Sequence, residues 1–102
     1  MTLRDVLAVA ADEAGIAAAP SGEPDSGTIW TAGGPAFAAL DQTGSTASFR
    51  LDAELAAAAR RTPDVSASLR GPEWVEFRPS AWDDHVADRA AAWFLAAYRR
   101  AV

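Results

Sequence analysis

The chain contains no cysteine and no lysine, and only one histidine, one methionine and one tyrosine. Without cysteine there can be no disulfide, no thiolate metal site and no cysteine nucleophile. That composition is at home in a reducing compartment, so a cytoplasmic location is expected. With His85 as the only imidazole, a nucleophile–base–orienter triad has a single candidate base. No serine stands in the strand-to-helix elbow that would expose a nucleophile. Gly33-Gly34 is not followed by the glycine-rich entry into a helix that cradles phosphate. No catalytic residue and no cofactor are therefore assigned. Long hydrophobic runs are also missing. Nothing approaches the ~20 apolar residues that span a bilayer, so no membrane role is expected. Met1 to Gly15 does not read as a signal peptide, because Arg4 and Asp5 interrupt it.

What is present is a chain of 102 residues, half of them hydrophobic, with a formal net charge of −5. That length fits one domain covering residues 1–102, large enough to bury a core without disulfide or metal staples. All nine basic residues are arginine. An acidic protein repels phosphate backbones at long range, so binding to DNA would need a local basic patch working against the overall field.

Periodicity lays out the elements. Thr2 and Asp5 have the spacing of a reciprocal helix cap, and Leu3, Val6, Leu7, Ala10 and Ala14 follow at helical intervals up to Gly15. Residues 16–27 are rich in Ala, Pro, Gly, Ser and acid, and read as a mobile loop. Strands are expected at 28–32, 36–40 and 46–51, separated by turns at Gly33-Gly34-Pro35 and Asp41 to Gly44. Asp52 caps a second helix that Thr62-Pro63 ends. Val65, Ala67 and Leu69 alternate with Ser66, Ser68 and Arg70 as a fourth strand. Gly71-Pro72-Glu73 reads as the turn into a fifth strand at 74–78. Ser80, with Asp83 three residues on, reads as the cap of a final helix. Its apolar stripe gathers Trp82, Val86, Ala90, Trp93 and Ala97, with Phe94 and Tyr98 beside them. The order is α-β-β-β-α-β-β-α, an α+β plan of two layers: one antiparallel sheet with helices mainly on one face. Periodicity leaves Trp30 either in the core or at a dimer edge.

This order, with the segments GGPAFAAL, FRLD and RGPEWVEFRP before an aromatic C-terminal helix, resembles the MmcQ/YjbR family over about residues 28–100. The resemblance implies a fold like that of type III secretion chaperones, α-β(3)-α-β(2)-α. Some members of that family carry a DNA-binding assignment, which brings no particular residues with it. Fold alone does not fix function.

Two groups of residues could carry chemistry. By alternation, Ser48, Arg50, Ser66, Ser68, Arg70, Trp74, Glu76 and Arg78 should point away from the helices. Of these, Arg50, Arg70, Trp74, Glu76 and Arg78 form a candidate binding face: arginines and an indole can grip a peptide or stack on bases. An ordinary solvated face would instead pair Glu76 with an arginine across the sheet. Asp84, His85 and Asp88 could share one helical face and hold a divalent ion. As acids in the first turns, Asp84 and Asp88 also simply complement the helix dipole. Arg60-Arg61 and Arg99-Arg100 read as cations at helix C-termini. The reading favoured by the sequence is a non-catalytic binding or adaptor module for a protein or peptide, with a second copy of itself among the candidates. Nucleic-acid binding through the arginine face is the alternative. A small-ligand protein or enzyme, with a pocket between the long loop and the last helix, is a third.

Overall fold

The computed structural model describes residues 2–16, 21–23, 27–32 and 34–102, with the backbone alone described at 21–23. Three helices, α1 (Leu3–Glu13), α2 (Ala53–Ala59) and α3 (Asp84–Ala101), accompany six strands: β1 (Ser21–Glu23), β2 (Gly27–Thr31), β3 (Ala36–Leu40), β4 (Ala47–Arg50), β5 (Val65–Ser68) and β6 (Gly71–Phe77). The strands make one antiparallel sheet in the order β1-β2-β3-β4-β6-β5. The α+β plan and the expected succession of elements stand, with one short edge strand added. That strand, β1, lies in the segment read as a loop: its three residues pair back onto β2, a contact no local pattern announces. The remainder of that segment, at 17–20 and 24–26, lies outside the described residues, as does Gly33 of the first expected turn.

Local chemistry explains the ends of the elements. Thr2 and Asp5 cap α1 reciprocally, through Asp5 N to Thr2 Oγ1 and Thr2 N to Asp5 Oδ2. At its other end Gly15 takes φ +65, while Gly15 N and Ile16 N donate back to the carbonyls of Asp12 and Ala11. That double bond-back satisfies carbonyls the helix would leave open. Asp52 caps α2 by accepting from Leu55 N.

The core is one cluster between the sheet and the helices. Ala38, Leu40, Ala47, Phe49, Val75 and Phe77 face the helices, and Leu7, Ala56, Ala59, Ala90, Trp93, Phe94 and Ala97 meet them. Aromatic edges join the layers: Trp30 and Phe37 against Phe94, at 5.5 and 5.3 Å, and Phe77 against Trp93 at 5.1 Å. Trp30 therefore belongs to the core. Phe37 reaches the helices through a bulge. Trp30 pairs with Ala38 and Thr31 with Ala36, leaving Phe37 as the extra residue on β3; a bulge of this kind re-aims a side chain.

Two expectations need correction. The last helix starts at Asp84, with Asp83 rather than Ser80 as its cap, accepting from Val86 N at 2.8 Å. Ser80 is engaged elsewhere, donating through both N and Oγ to Asp64 Oδ2. Trp82 thus precedes the helix and is 41% exposed instead of joining the core. The hairpin between β5 and β6 also turns earlier than expected. Ser68 pairs with Gly71, so Leu69 and Arg70 form the turn and Gly71-Pro72-Glu73 opens β6. The β5 ladder skips residues 72–74 of β6, where Pro72 has no N–H to contribute.

Candidate partner-binding face

None of the three helices covers the second face of the sheet. Strand pairing sets its central row: Ile29, Ala39, Ser48, Glu76 and Ser66 stand opposite one another across five strands. In the next row Arg50 stands opposite Trp74. The expected outward set on β4 and β6 is therefore outward. The row's small centre, Ala39 and Ser48, is only 3% and 7% exposed, yet neither belongs to the helix-facing core cluster. Its floor is made of small side chains, flanked by larger ones.

Those larger side chains gather at one end of β6. The guanidinium of Arg70 lies 5.4 Å from the centre of the Trp74 ring. The indole rests against the bare backbone of Gly71, where a Cβ would stand 3.5 Å from Trp74 Cδ1. Trp74 is only 9% exposed. Glu73 accepts from Arg100 at the end of α3 and pairs with Arg50 Nε at 3.4 Å. Arg60 Nη1, at the end of α2, donates to the Pro72 carbonyl at 3.2 Å. A crevice of about 310 Å³ opens among Arg50, Arg70, Gly71, Pro72, Glu73 and Trp74. Four arginines from four parts of the chain thus converge on a three-residue segment that holds one carboxylate. In a protein of net charge −5, this is a locally cationic corner with hydrogen-bond donors to spare.

Of the expected binding residues, the structure brings Arg50, Arg70 and Trp74 together and leaves two outside. Glu76 lies further along the face, and its carboxylate accepts from Ser68 Oγ at 3.4 Å instead of pairing with an arginine. Arg78 stands four residues from Trp74, about 13 Å along an extended strand, beyond the end of β6. Sequence reasoning missed Glu73, Arg60 and Arg100. Glu73 was assigned to a turn, and the two arginines read as helix-end cations. Glu73 does share the parity of Val75 and Phe77, which places it on the side from which the end of α3 approaches.

Asp84, His85 and Asp88 are all exposed. Among the described residues no three His, Asp or Glu side chains group closely enough to hold a metal ion. Asp84 begins the helix at its positive end and Asp83 caps it. A second concavity, of about 570 Å³, runs between α1 and α3, with Val6, Val9, Ala91, Leu95 and Tyr98 in its walls. Among the described residues no helix is long and apolar enough to cross a membrane.

The architecture is a two-layer α+β domain whose helices pack on one face of an antiparallel sheet. The same fold occurs in the crystal structure of a protein from Pseudomonas syringae, a structural-genomics target, with a TM-score of 0.71 over the full length of both chains at 11% identity. At that identity the likeness is one of fold alone. No family model matches the chain, and no curated protein does.

Proposed function

We propose that this is a cytoplasmic binding module of the MmcQ/YjbR type, acting without catalysis, that holds a protein or peptide partner at the end of its open sheet face. The observation that carries this reading is the arginine corner. Arg50, Arg60, Arg70 and Arg100 surround Glu73 and Trp74, while the protein as a whole is acidic. One carboxylate does not neutralise four guanidiniums, and the small residues Ala39 and Ser48 beside them leave room for an extended chain. The partner's chemistry follows: an acidic side chain or C-terminal carboxylate for the guanidinium forks, and a backbone lying over Ala39 and Ser48.

Nucleic acid would meet the same cations, but an indole only 9% exposed, with Arg70 over its ring, is poorly placed to stack on a base, and Arg78 lies too far away to extend the patch. The test is selection of peptides from a displayed random library on the wild-type protein and on Arg50→Ala and Arg70→Ala. Enrichment of acidic sequences by the wild type, lost in both variants, supports the reading. Equal selection by all three would sink it. So would tight binding to a random DNA duplex that weakens steeply with salt.

A further inference from the structure

The charges of the arginine corner specify the kind of acid it takes. Its one internal anion, Glu73, meets both Arg50 Nε and Arg100 Nη2 through the same oxygen, Oε2. Among the described residues these are the only ion pairs that any of the four arginines makes. Arg70 contacts the Trp74 ring instead of a carboxylate. Arg60 donates to a neutral group, the Pro72 carbonyl. Four guanidiniums against one carboxylate leave an excess of three positive charges at the corner. Each guanidinium carries five N–H donors, so most of these donors have no acceptor within the corner.

The charge on the ligand decides the match. A side-chain carboxylate, or one phosphodiester of a nucleic-acid backbone, carries a single negative charge and cancels one of the three. A phosphomonoester carries about −1.5 to −2 at pH 7 and offers three strong acceptor oxygens. Doubling the ligand charge doubles its repulsion from Glu73. It doubles the attraction to four guanidiniums as well, so the net attraction also doubles. Geometry agrees with charge. The crevice of about 310 Å³ has Arg50 and Arg70 in its walls, one from the end of β4 and the other from the turn before β6. Forks arriving from two parts of the chain suit an acceptor with three oxygens better than a planar carboxylate, which a single fork satisfies. Both arginines can be reached from solvent: Arg70 is exposed, and the Arg50 side chain is 38% exposed.

We infer that the corner reads phosphate: it takes a phosphomonoester carried on a side chain of the partner peptide, seated between Arg50 and Arg70. The inference rests on the peptide-binding reading of the same corner and names the group that the peptide presents. The experiment uses fluorescent degenerate peptide pools that differ only at a central residue, which is phosphoserine, glutamate or serine. Each pool is titrated with the full chain at pH 7 and followed by anisotropy. The phosphoserine pool should bind about tenfold tighter than the glutamate pool, and the glutamate pool tighter than the serine pool. Arg50→Ala and Arg70→Ala, with circular dichroism confirming their fold, should bring the phosphoserine pool down to the level of the serine pool. Arg78→Ala, away from the crevice, should change its affinity by less than about twofold. Equal affinity for the phosphoserine and glutamate pools would overturn the phosphate assignment and leave the peptide reading standing. Equal affinity for all three pools would overturn both. Inorganic phosphate that displaces the phosphoserine pool at the pool's own dissociation constant would show that the corner holds a free ion and no peptide. Tighter binding of a 5′-phosphorylated DNA strand would assign the corner to nucleic acid. Either result overturns the inference.

Discussion

The two faces of the sheet are built from alternate residues of the same strands, yet they do different work. On β4 and β6, Phe49, Val75 and Phe77 point to the helices and are fully buried. Between them, Ser48, Trp74 and Glu76 point the other way. The first face is aromatic and aliphatic, and Trp93 of α3 meets it edge-on at Phe77 and tilted at Phe49. The second is small and polar along its middle, with its large side chains concentrated at one end. Stability is thus invested on one face, and the other is left free of it. The ring of Trp74 and the guanidiniums of Arg50 and Arg70 stand on the face that packing does not require, and Arg60 and Arg100 reach the same end of β6 from the helix side.

The largest expected effect probes the packed face. Phe94 is fully buried and touches both Trp30 and Phe37. Phe94→Ala should lose about 3–5 kcal/mol in urea unfolding, enough to unfold a marginal domain. Ser48→Ala, near the centre of the other face, should stay within about 1 kcal/mol of wild type. Equal losses would break the contrast between the faces.

Next comes the start of β2. Gly27 has φ +73, and a Cβ there would collide with the Leu40 carbonyl and the backbone of Asp41. Gly27→Ala should therefore cost roughly 2–4 kcal/mol, strain and overpacking together. Gly15 has φ +65 with nothing within 4 Å of a built Cβ. Gly15→Ala should cost only the left-handed backbone term, about 1–2 kcal/mol. Thermal melts of the two variants compare close approach with conformation alone; Gly15→Ala as damaging as Gly27→Ala would refute the assignment.

These cases also show what the sequence could disclose. Features decided within a few residues were legible: the Thr2–Asp5 cap, the Asp52 cap, the bounds of β3 and the alternation on β4. Features decided across the chain were not. Ser80 and Asp83 are both eligible helix caps, and the choice falls to Asp83 because Asp64, sixteen residues before Ser80, engages the serine. Gly71-Pro72 is a good turn sequence, yet pairing of Ser68 with Gly71 moves the turn to Leu69-Arg70. The arginine corner was half visible for the same reason. Alternation oriented Arg50 and Trp74 correctly, whereas Arg60 and Arg100 arrive from helix ends that only the tertiary fold brings to Glu73.

A smaller effect is expected at the turn that joins β3 to β4, and it should depend on pH. Asp41 accepts from Ser45 N and Thr46 N through Oδ1, at 2.8 and 3.1 Å, and from the hydroxyls of Thr43 and Ser45 through Oδ2. Partial burial alone would raise its pKa, but the hydrogen bonds from Thr46, Thr43 and Ser45 outweigh it and hold the carboxyl below its ordinary value. A depressed carboxyl contributes stability that is complete above the unfolded value of about 3.9 and is lost as pH falls through the lower folded value. Asp41→Asn should cost about 1–2 kcal/mol at pH 7. The gap to wild type should narrow as urea unfolding is repeated from pH 5 towards pH 2. A gap that stays constant with pH would show that the charge on Asp41 is not what stabilises the turn.

The smallest stability effect belongs to the arginine corner, and its smallness is the point. Glu73 pairs with Arg50 and Arg100, but all three side chains are about one-third exposed. Exposed pairs of this kind contribute about 0–1 kcal/mol, because water screens the charges and ordering long side chains costs entropy. Glu73→Gln should therefore barely move the unfolding midpoint. Binding should respond in the opposite sense. Neutralising the one carboxylate removes the internal competitor for the Arg50 and Arg100 guanidiniums, so an acidic peptide selected by the wild type should bind Glu73→Gln several-fold more tightly in anisotropy titrations. Arg50→Ala should bind it more weakly, with similarly little loss of stability. If Glu73→Gln instead unfolded the protein, the corner would be part of the scaffold and the division of labour between the two faces would fail. If it left both stability and peptide affinity unchanged, the guanidiniums around Glu73 would not be the groups that meet the partner.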